Sequence, residues 1–429
     1  MSEWPTVPLT EVAEIRFSNV DKKTNSGELP VQLCNYMDVY SNGYITADLP
    51  FMEASATHAE VERFRVEKGD VMVTKDSETP DDIGIPAVLM DEIPGLICGY
   101  HLALIKPNQS KVDSVYLAKQ LGSRPIATYF SQLANGSTRY GLSSSAIADA
   151  PIPLAPLSQQ RRIAEILSTL DDTIEQTDVL IAKYQHIKAG LMRDLFTRGV
   201  TFDGHLRPTR VQAPHLYNDS SLGWIPKEWT VMPLDEHVRI IDCKHYTPAF
   251  QTEGFPFIRP RNVKVDGLDL QGVDYVSAED FKTLTDVYQP RYGDIVFSRN
   301  ASFGVPCYID TDLQFAIGQD CVIMTAKASD TRFVFCALTN SITTAQIAKV
   351  SAGSTFGRIN LGEIRKLLIP HPGKEEEQRI AARFFACGDL SRKLIDELAK
   401  LRQQKHGLMA DLLTGRVRVK VAESKGTLA

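Results

Sequence analysis

The chain has 429 residues, is 43% hydrophobic and 23% charged, and carries a formal net charge of −6. That length exceeds one ordinary domain. The acidic balance argues against non-specific coating of nucleic acid, which takes a basic surface, while leaving room for specific binding through local basic loops. The seven cysteines are scattered with no C-x-x-C pair, so they read as reduced, mostly buried thiols, and zinc has no support from spacing. The start, MSEWPTVPLTEVAEIRF, lacks a basic-then-apolar signal pattern, and no apolar run approaches the roughly 18 residues of a membrane span. A cytoplasmic protein is the expectation.

Residues 1–150 mix short β-rich runs (VQLCNYMDVY, GDVMVTK, HLALIKP) with turns, and a helical stretch follows at 112–134. The composition is α+β. After GDVMV comes Lys75-Asp76-Ser77-Glu78-Thr79, and a GST turn leads to Arg139-Tyr140. Two prolines then precede Ser158, a plausible N-cap for a long helix. Its apolar seam runs Ile163, Leu167, Leu170, Ile174, Thr177, Ile181, Tyr184, Lys188, Leu191, Leu195, about five heptads. Asp171-Asp172 on this helix reads as a solvated face. Residues 199–227 have turn residues and no apolar period, and read as a linker.

The pattern then repeats. From Gly136 to Val200 the chain aligns without a gap to 353–417 at an offset of 217, with 20 of 65 positions identical. GLMRDLFTRGV at 190–200 returns as GLMADLLTGRV at 407–417. Fainter echoes precede these copies: Glu3-Trp4 and Glu228-Trp229, GDVMV and GDIVF, Gly84-Ile85-Pro86 and Gly304-Val305-Pro306. The second body, 228–365, has FPFIRPRNVKV, GDIVFSR and CVIMTA as strands and a helical stretch at 331–350. Arg259, Arg261 and Asn262 interrupt its apolar strand, and Ser298-Arg299-Asn300 follows GDIVF. Its long helix opens with Lys374-Glu375-Glu376-Glu377, acids that suit the positive end of the helix dipole. The second seam is Ile380, Phe384, Cys387, Ser391, Leu394, Leu398, Leu401, Lys405, Leu408, Leu412.

A helix of that length with one apolar face needs a partner, and each has one in the other copy. Related halves pair most simply about a local two-fold axis, which makes the helices antiparallel. No GxGxxG, Walker A, HExxH, nucleophile elbow or methyltransferase motif occurs, and the nine histidines show no ligand spacing, His101 and His245 reading as structural. No catalytic or metal-binding residue is nominated.

The ensemble of GST…I…IPLAPLSQQRRIAEILSTLD (136–171), its second copy GST…I…IPHPGKEEEQRIAARF (353–384), the GLM-x-DL-x-T endings and LGWIPKEW (222–229) resembles the specificity subunit of type I restriction–modification enzymes. The resemblance implies a target recognition domain at 1–157, a spacer helix at 158–198, a linker at 199–227, a second recognition domain at 228–373, a second spacer helix at 374–415 and a tail at 416–429. It implies that each domain reads half of a bipartite, asymmetric sequence in double-stranded DNA. The antiparallel helices would set the unread spacer and dock two modification (methyltransferase) subunits, with restriction subunits as further partners. S-adenosylmethionine, ATP and Mg would belong to those partners, and this chain would hold no cofactor and perform no catalysis.

Equivalence of loops in the two copies nominates DNA contacts. They are Lys75, Ser77, Thr79, Thr138, Arg139 and Tyr140 for one half-site, and Arg259, Arg261, Arg299, Asn300, Thr355 and Arg358 for the other. These side-chain types read base edges and hold phosphates. The competing reading is a non-catalytic scaffold whose duplicated bodies grip proteins.

Overall fold

The computed structural model describes residues 3–300, 304–352 and 358–420. The chain forms two compact units: Met1–Asp178 with Asp396–Ala429, and Val179–Ile395. Each is α+β.

In unit 1 a five-stranded sheet runs in the order Ala13–Phe17, Leu102–Pro107, Val71–Thr74, Pro86–Leu89, Tyr44–Ile45. Val71–Thr74 and Leu102–Pro107 are almost wholly buried, which is why they read as continuous apolar runs rather than alternating ones. A three-stranded sheet pairs Leu29–Cys34 antiparallel with Met52–Ala56 and parallel with Leu96–Cys98. Unit 2 repeats this plan. Val238–Asp242, Cys321–Ala326, Ile295–Ser298 and Pro306–Tyr308 make its main sheet. Phe255–Ile258 lies antiparallel to Asp274–Val276 and parallel to Ala316–Ile317. Thr6–Pro8 pairs with Pro151–Pro153 in one unit, and Thr230–Pro233 with Leu368–His371 in the other.

The long helices span Leu157–Thr197 and Lys374–Leu412. The first begins one residue before Ser158, because the Pro156 carbonyl already accepts from the N–H groups of Gln159 and Gln160. All positions of both seams are buried or half-buried. Within unit 1 the helices run antiparallel: Asp171 pairs with Lys405 at 2.6 Å and Asp178 with Arg402 at 2.9 Å. Within unit 2, Lys188 lies over the Phe384 ring at 4.9 Å, and Arg379 Nε donates to the Val200 carbonyl. The lysines that interrupt the seams are therefore cross-helix contacts.

Each unit closes its core with the end of the helix that starts in the other half of the sequence. Leu412 and Leu413 join the unit 1 core beside Ile163 and Leu167. Trp4 Nε1 donates to the Leu412 carbonyl and Gln120 Nε2 to that of Leu413. In unit 2, Leu195, Phe196 and Val200 join Ile380 and Phe384, with Phe196 stacked on Phe333. Full burial of such a leucine or phenylalanine contributes about 1.5–3 kcal/mol. Gly199 and Gly415 end this interlock with φ of +66° and +82°; a Cβ on either would strike the indole of Trp229 or Trp4 respectively.

Several local expectations change. Residues 199–227 carry a β-hairpin (Tyr217–Ser220 with Gly223–Pro226), and Val200, Arg207, Tyr217 and Ile225 are buried. Arg207 and the Trp229 indole both bond Glu376, which also accepts the Val200 N–H at 2.7 Å. Glu375, Glu376 and Glu377 lie in the first turn of the long helix as expected, and Glu376 and Glu377 are in addition buried against the body. Asp171 is likewise not a solvated residue: it receives Tyr44 Oη, Lys119 and Lys405. The stretch 112–134 is two helices, Ser114–Leu121 and Arg124–Leu133, parted at Gly122-Ser123. The 331–350 stretch similarly divides at Asn340.

Candidate functional site

Three backbone hydrogen bonds recur in both units and fix which residues correspond. Gly99 N–H donates to the Cys34 carbonyl, and Gly318 to that of Ile258. Lys75 N–H donates to the His101 carbonyl, and Arg299 to that of Asp320. Leu142 N–H donates to the Lys75 carbonyl, and Ile359 to that of Arg299. Lys75 therefore matches Arg299, His101 matches Asp320, Tyr100 matches Gln319, and Asn35 matches Arg259.

These residues surround a cleft in each unit. The unit 1 cleft, about 120 Å³, includes Asn35, Tyr36, Tyr100 and His101. The unit 2 cleft, about 360 Å³, includes Phe250, Arg259, Arg261, Asn300, Gln319 and Asp320. One framework thus presents two unlike sets of polar and aromatic groups.

In unit 1, His101 Nδ1 lies 2.8 Å from Asp76. Lys75 Nζ donates to the Ser18 carbonyl at 2.9 Å and sits over the Tyr100 ring. Burial, only partly countered by Asp76, holds the Lys75 ammonium below its usual pKa. The hairpin Asn135–Gly136/Tyr140–Gly141 pairs with Asp76–Ser77, setting Tyr140 opposite Ser77. Two nominated loops 63 residues apart are so brought into one small sheet. Thr79, Thr138 and Arg139 are exposed around it; Ser77 is buried and accepts the Thr79 N–H.

In unit 2 the acid moves to the other side of the pair: Asn300 Nδ2 donates to Asp320 at 3.2 Å, and Arg358 pairs with Asp320 at 2.8 Å. Asp320 has φ +69°, the sole positive φ among the described non-glycine residues, a conformation aspartate tolerates better than most. Arg259 stacks over Phe250 at 4.7 Å, and Asp274 holds both Arg259 and Arg261, at 3.2 and 2.9 Å. Arg299 does not project into solvent. Its guanidinium is buried, bonded to Asp242 at 2.9 Å and to the Ile359 carbonyl. It braces the loop, so a direct base contact requires it to leave Asp242. Thr355 lies outside the described residues.

In unit 2 each of Arg259, Arg261, Arg299 and Arg358 is paired with an aspartate, so the site has no excess of basic residues that composition would show. Asn35, Tyr36, Tyr100, His101, Phe250, Gln319 and Asp320 were not nominated, and His101 was read as structural. The available signal was Gly99-Tyr100-His101 against Gly318-Gln319-Asp320: a shared glycine, then two unlike residues. Both glycines are required, since a Cβ would lie 2.7 Å from the Cys34 carbonyl oxygen or 2.9 Å from the Phe257 ring.

Among the described residues no helix is long and apolar enough to cross a membrane. All seven cysteines are free thiols, six of them buried.

Residues 1–183 and 226–400 match the protein family described as "Type I restriction modification DNA specificity domain". The chain is 24% identical over 424 residues to the protein assigned as the type I restriction enzyme MjaX specificity subunit of Methanocaldococcus jannaschii, covering 97% of this chain and 94% of that one. It is 28% identical over 279 residues to the MjaVIII specificity subunit of the same organism, covering 63% of this chain and 62% of that one. The fold resembles the crystal structure of the type I restriction–modification S subunit from M. genitalium, with TM-score 0.61, 14% identity and 96% of each chain covered. The chain belongs to the type I restriction–modification DNA specificity family, whose members supply DNA recognition rather than catalysis.

Proposed function

We propose that 1–157 and 228–373 are two target recognition domains, each reading one half of a bipartite, asymmetric sequence in double-stranded DNA. The observation that carries this reading is the pair of backbone-equivalent clefts with unlike linings. An inherited frame with different reading residues suits two different half-sites. Arg259, Arg261 and Arg358 supply guanidinium forks for guanine edges or phosphates. Asn300 is suited to adenine, and Thr79, Thr138, Arg139 and Tyr140 line the reading loops of the first domain. Lys75, Ser77 and Arg299 shape the loops from beneath. Thr355 retains its nomination from sequence position alone.

The protein acts within a type I complex. The long helices hold the recognition domains at a set separation and dock two modification subunits, which carry S-adenosylmethionine, with restriction subunits, ATP and Mg as further components. The acidic net charge fits a subunit that reads DNA while partners add basic surface. Gel shifts of the complex across a salt series test the reading against a protein-binding scaffold. DNA affinity should fall linearly in log–log form with salt; affinity for DNA that is absent at low salt overturns it.

A further inference from the structure

Four elements of unit 2 meet at the base of the second long helix. His237 ends the helical turn Leu234–His237, His371 ends the strand Leu368–His371, Glu377 lies in the first turn of the long helix, and Ser329 precedes the helix Thr331–Thr339. His237, His371 and Glu377 each bring one ligand-capable atom to within 4.8 Å of the others. His237 and Glu377 are fully buried, while His371 is partly open to solvent.

The sister unit builds the same joint without this trio. At the equivalent joint of unit 1, Glu377 is replaced by Gln160 and Ser329 by Val112, at the same offset of 217, and His371 by Leu154. Gln160 alone takes the Asp113 N–H and closes that joint without an ionisable group. The unit 2 trio is therefore additional chemistry in a joint that already works.

Its geometry is that of a ligand set. His237 Nε2 faces the Ile369 carbonyl at 3.4 Å, and its Nδ1 faces Ser329 Oγ at 2.8 Å, which in turn donates to Glu377 at 2.7 Å. In the metal-free chain the single Ser329 proton goes to Glu377, so His237 Nδ1 is the N–H that donates to Ser329 Oγ; on binding, the imidazole would turn its N–H to Nε2 and the Ile369 carbonyl, the outer contact characteristic of metal-binding imidazoles, freeing Nδ1 for the ion. His371 Nδ1 lies 2.9 Å from the Glu377 carboxylate.

We propose that His237, His371 and Glu377 form a transition-metal site, filled by Zn²⁺ on the chemistry of two imidazoles and one carboxylate, which pins the first turn of the second long helix to its domain. Tetrahedral coordination at about 2.0–2.1 Å sets ligand atoms roughly 3.3 Å apart, so the His371–Glu377 contact opens by a few tenths of an ångström and the trio draws inward. Ser329 Oγ or water takes the fourth position. The ligands come from positions 237, 371 and 377, a separation no local motif displays.

The test uses the untagged, full-length chain after chelator treatment, titrated with Co²⁺ and followed by visible absorption and calorimetry. One equivalent should produce the d–d bands of a four-coordinate ion, Zn²⁺ should displace it, and Zn²⁺ should raise the thermal midpoint. His371→Ala and Glu377→Gln should each weaken binding by more than the ~100-fold that loss of an outer partner costs. Glu377→Gln reproduces the residue of the sister joint, so it should remain folded by circular dichroism. Absence of bands and heat with the folded wild-type chain overturns the proposal. So does binding that both variants leave unchanged, which would place the ion elsewhere.

Discussion

Gln160 and Glu377 stand 217 positions apart at the bases of the two long helices, and each accepts the backbone N–H of an aspartate that caps the following helix. Asp113 donates to Gln160 at 2.8 Å, and Asp330 to Glu377 at 3.1 Å. Gln160 also donates to the Lys111 and Ala155 carbonyls. Gln160→Leu would strand three backbone groups at a fully buried position. The expected cost is about 2–4 kcal/mol, measured as a lower denaturation midpoint at unchanged slope.

Asp171 predicts a specific acid sensitivity. Burial alone would raise its pKa, but Lys119 and Lys405 outweigh burial and hold it below the usual range. A carboxyl depressed in the folded state stabilises fully above its unfolded pKa of about 4, and that stabilisation is lost as pH falls through the folded value. Asp171→Asn should flatten the fall in stability below about pH 4. At neutral pH it should also destabilise the chain, because Lys119 and Lys405 lose their shared partner. Equilibrium unfolding from pH 7 to pH 3 checks both.

The duplication, the seams and the α+β bodies were legible because each rests on a short-range pattern: identities at one offset, or apolar residues every three to four positions. The clefts were not, because their groups come from segments more than 60 residues apart: Asn35 with His101, Ser77 with Tyr140, Arg259 with Asp320. The interlock was half legible. The repeated GLM-x-DL-x-T marked an important piece, but nothing local in it shows that Leu412 and Leu413 pack beside Ile163 and Leu167. Asp171 misled because an acid pair on a helix has no local sign of the lysines that meet it.

Gly190 and Gly407 open the two GLM copies inside the helices, and a Cβ on either meets nothing within 4 Å. A helical glycine costs about 1 kcal/mol relative to alanine. Gly190→Ala and Gly407→Ala should therefore each stabilise the isolated chain by about that amount. If the bare positions admit the close approach of a modification subunit, the same substitutions should weaken its binding. Thermal midpoints and subunit titrations separate the two effects.

The helices also make a prediction about the target. Inserting four residues, about one turn, near Thr177 should lengthen the unread spacer while leaving both half-sites unaltered. Methylation of spacer-length libraries reads this out, and retention of the original spacer argues against a ruler.

The central claim is that two unlike clefts on a duplicated frame read separate parts of one sequence. Its most direct test is methylome sequencing of cells carrying the wild-type protein or Arg261→Ala, whose guanidinium is exposed at the unit 2 cleft beside Asp274. The account predicts a bipartite motif in which one half relaxes, by about 1–3 kcal/mol at the affected base, while the other half and the spacer stay fixed. A motif that relaxes in both halves, in neither, or that proves continuous contradicts it.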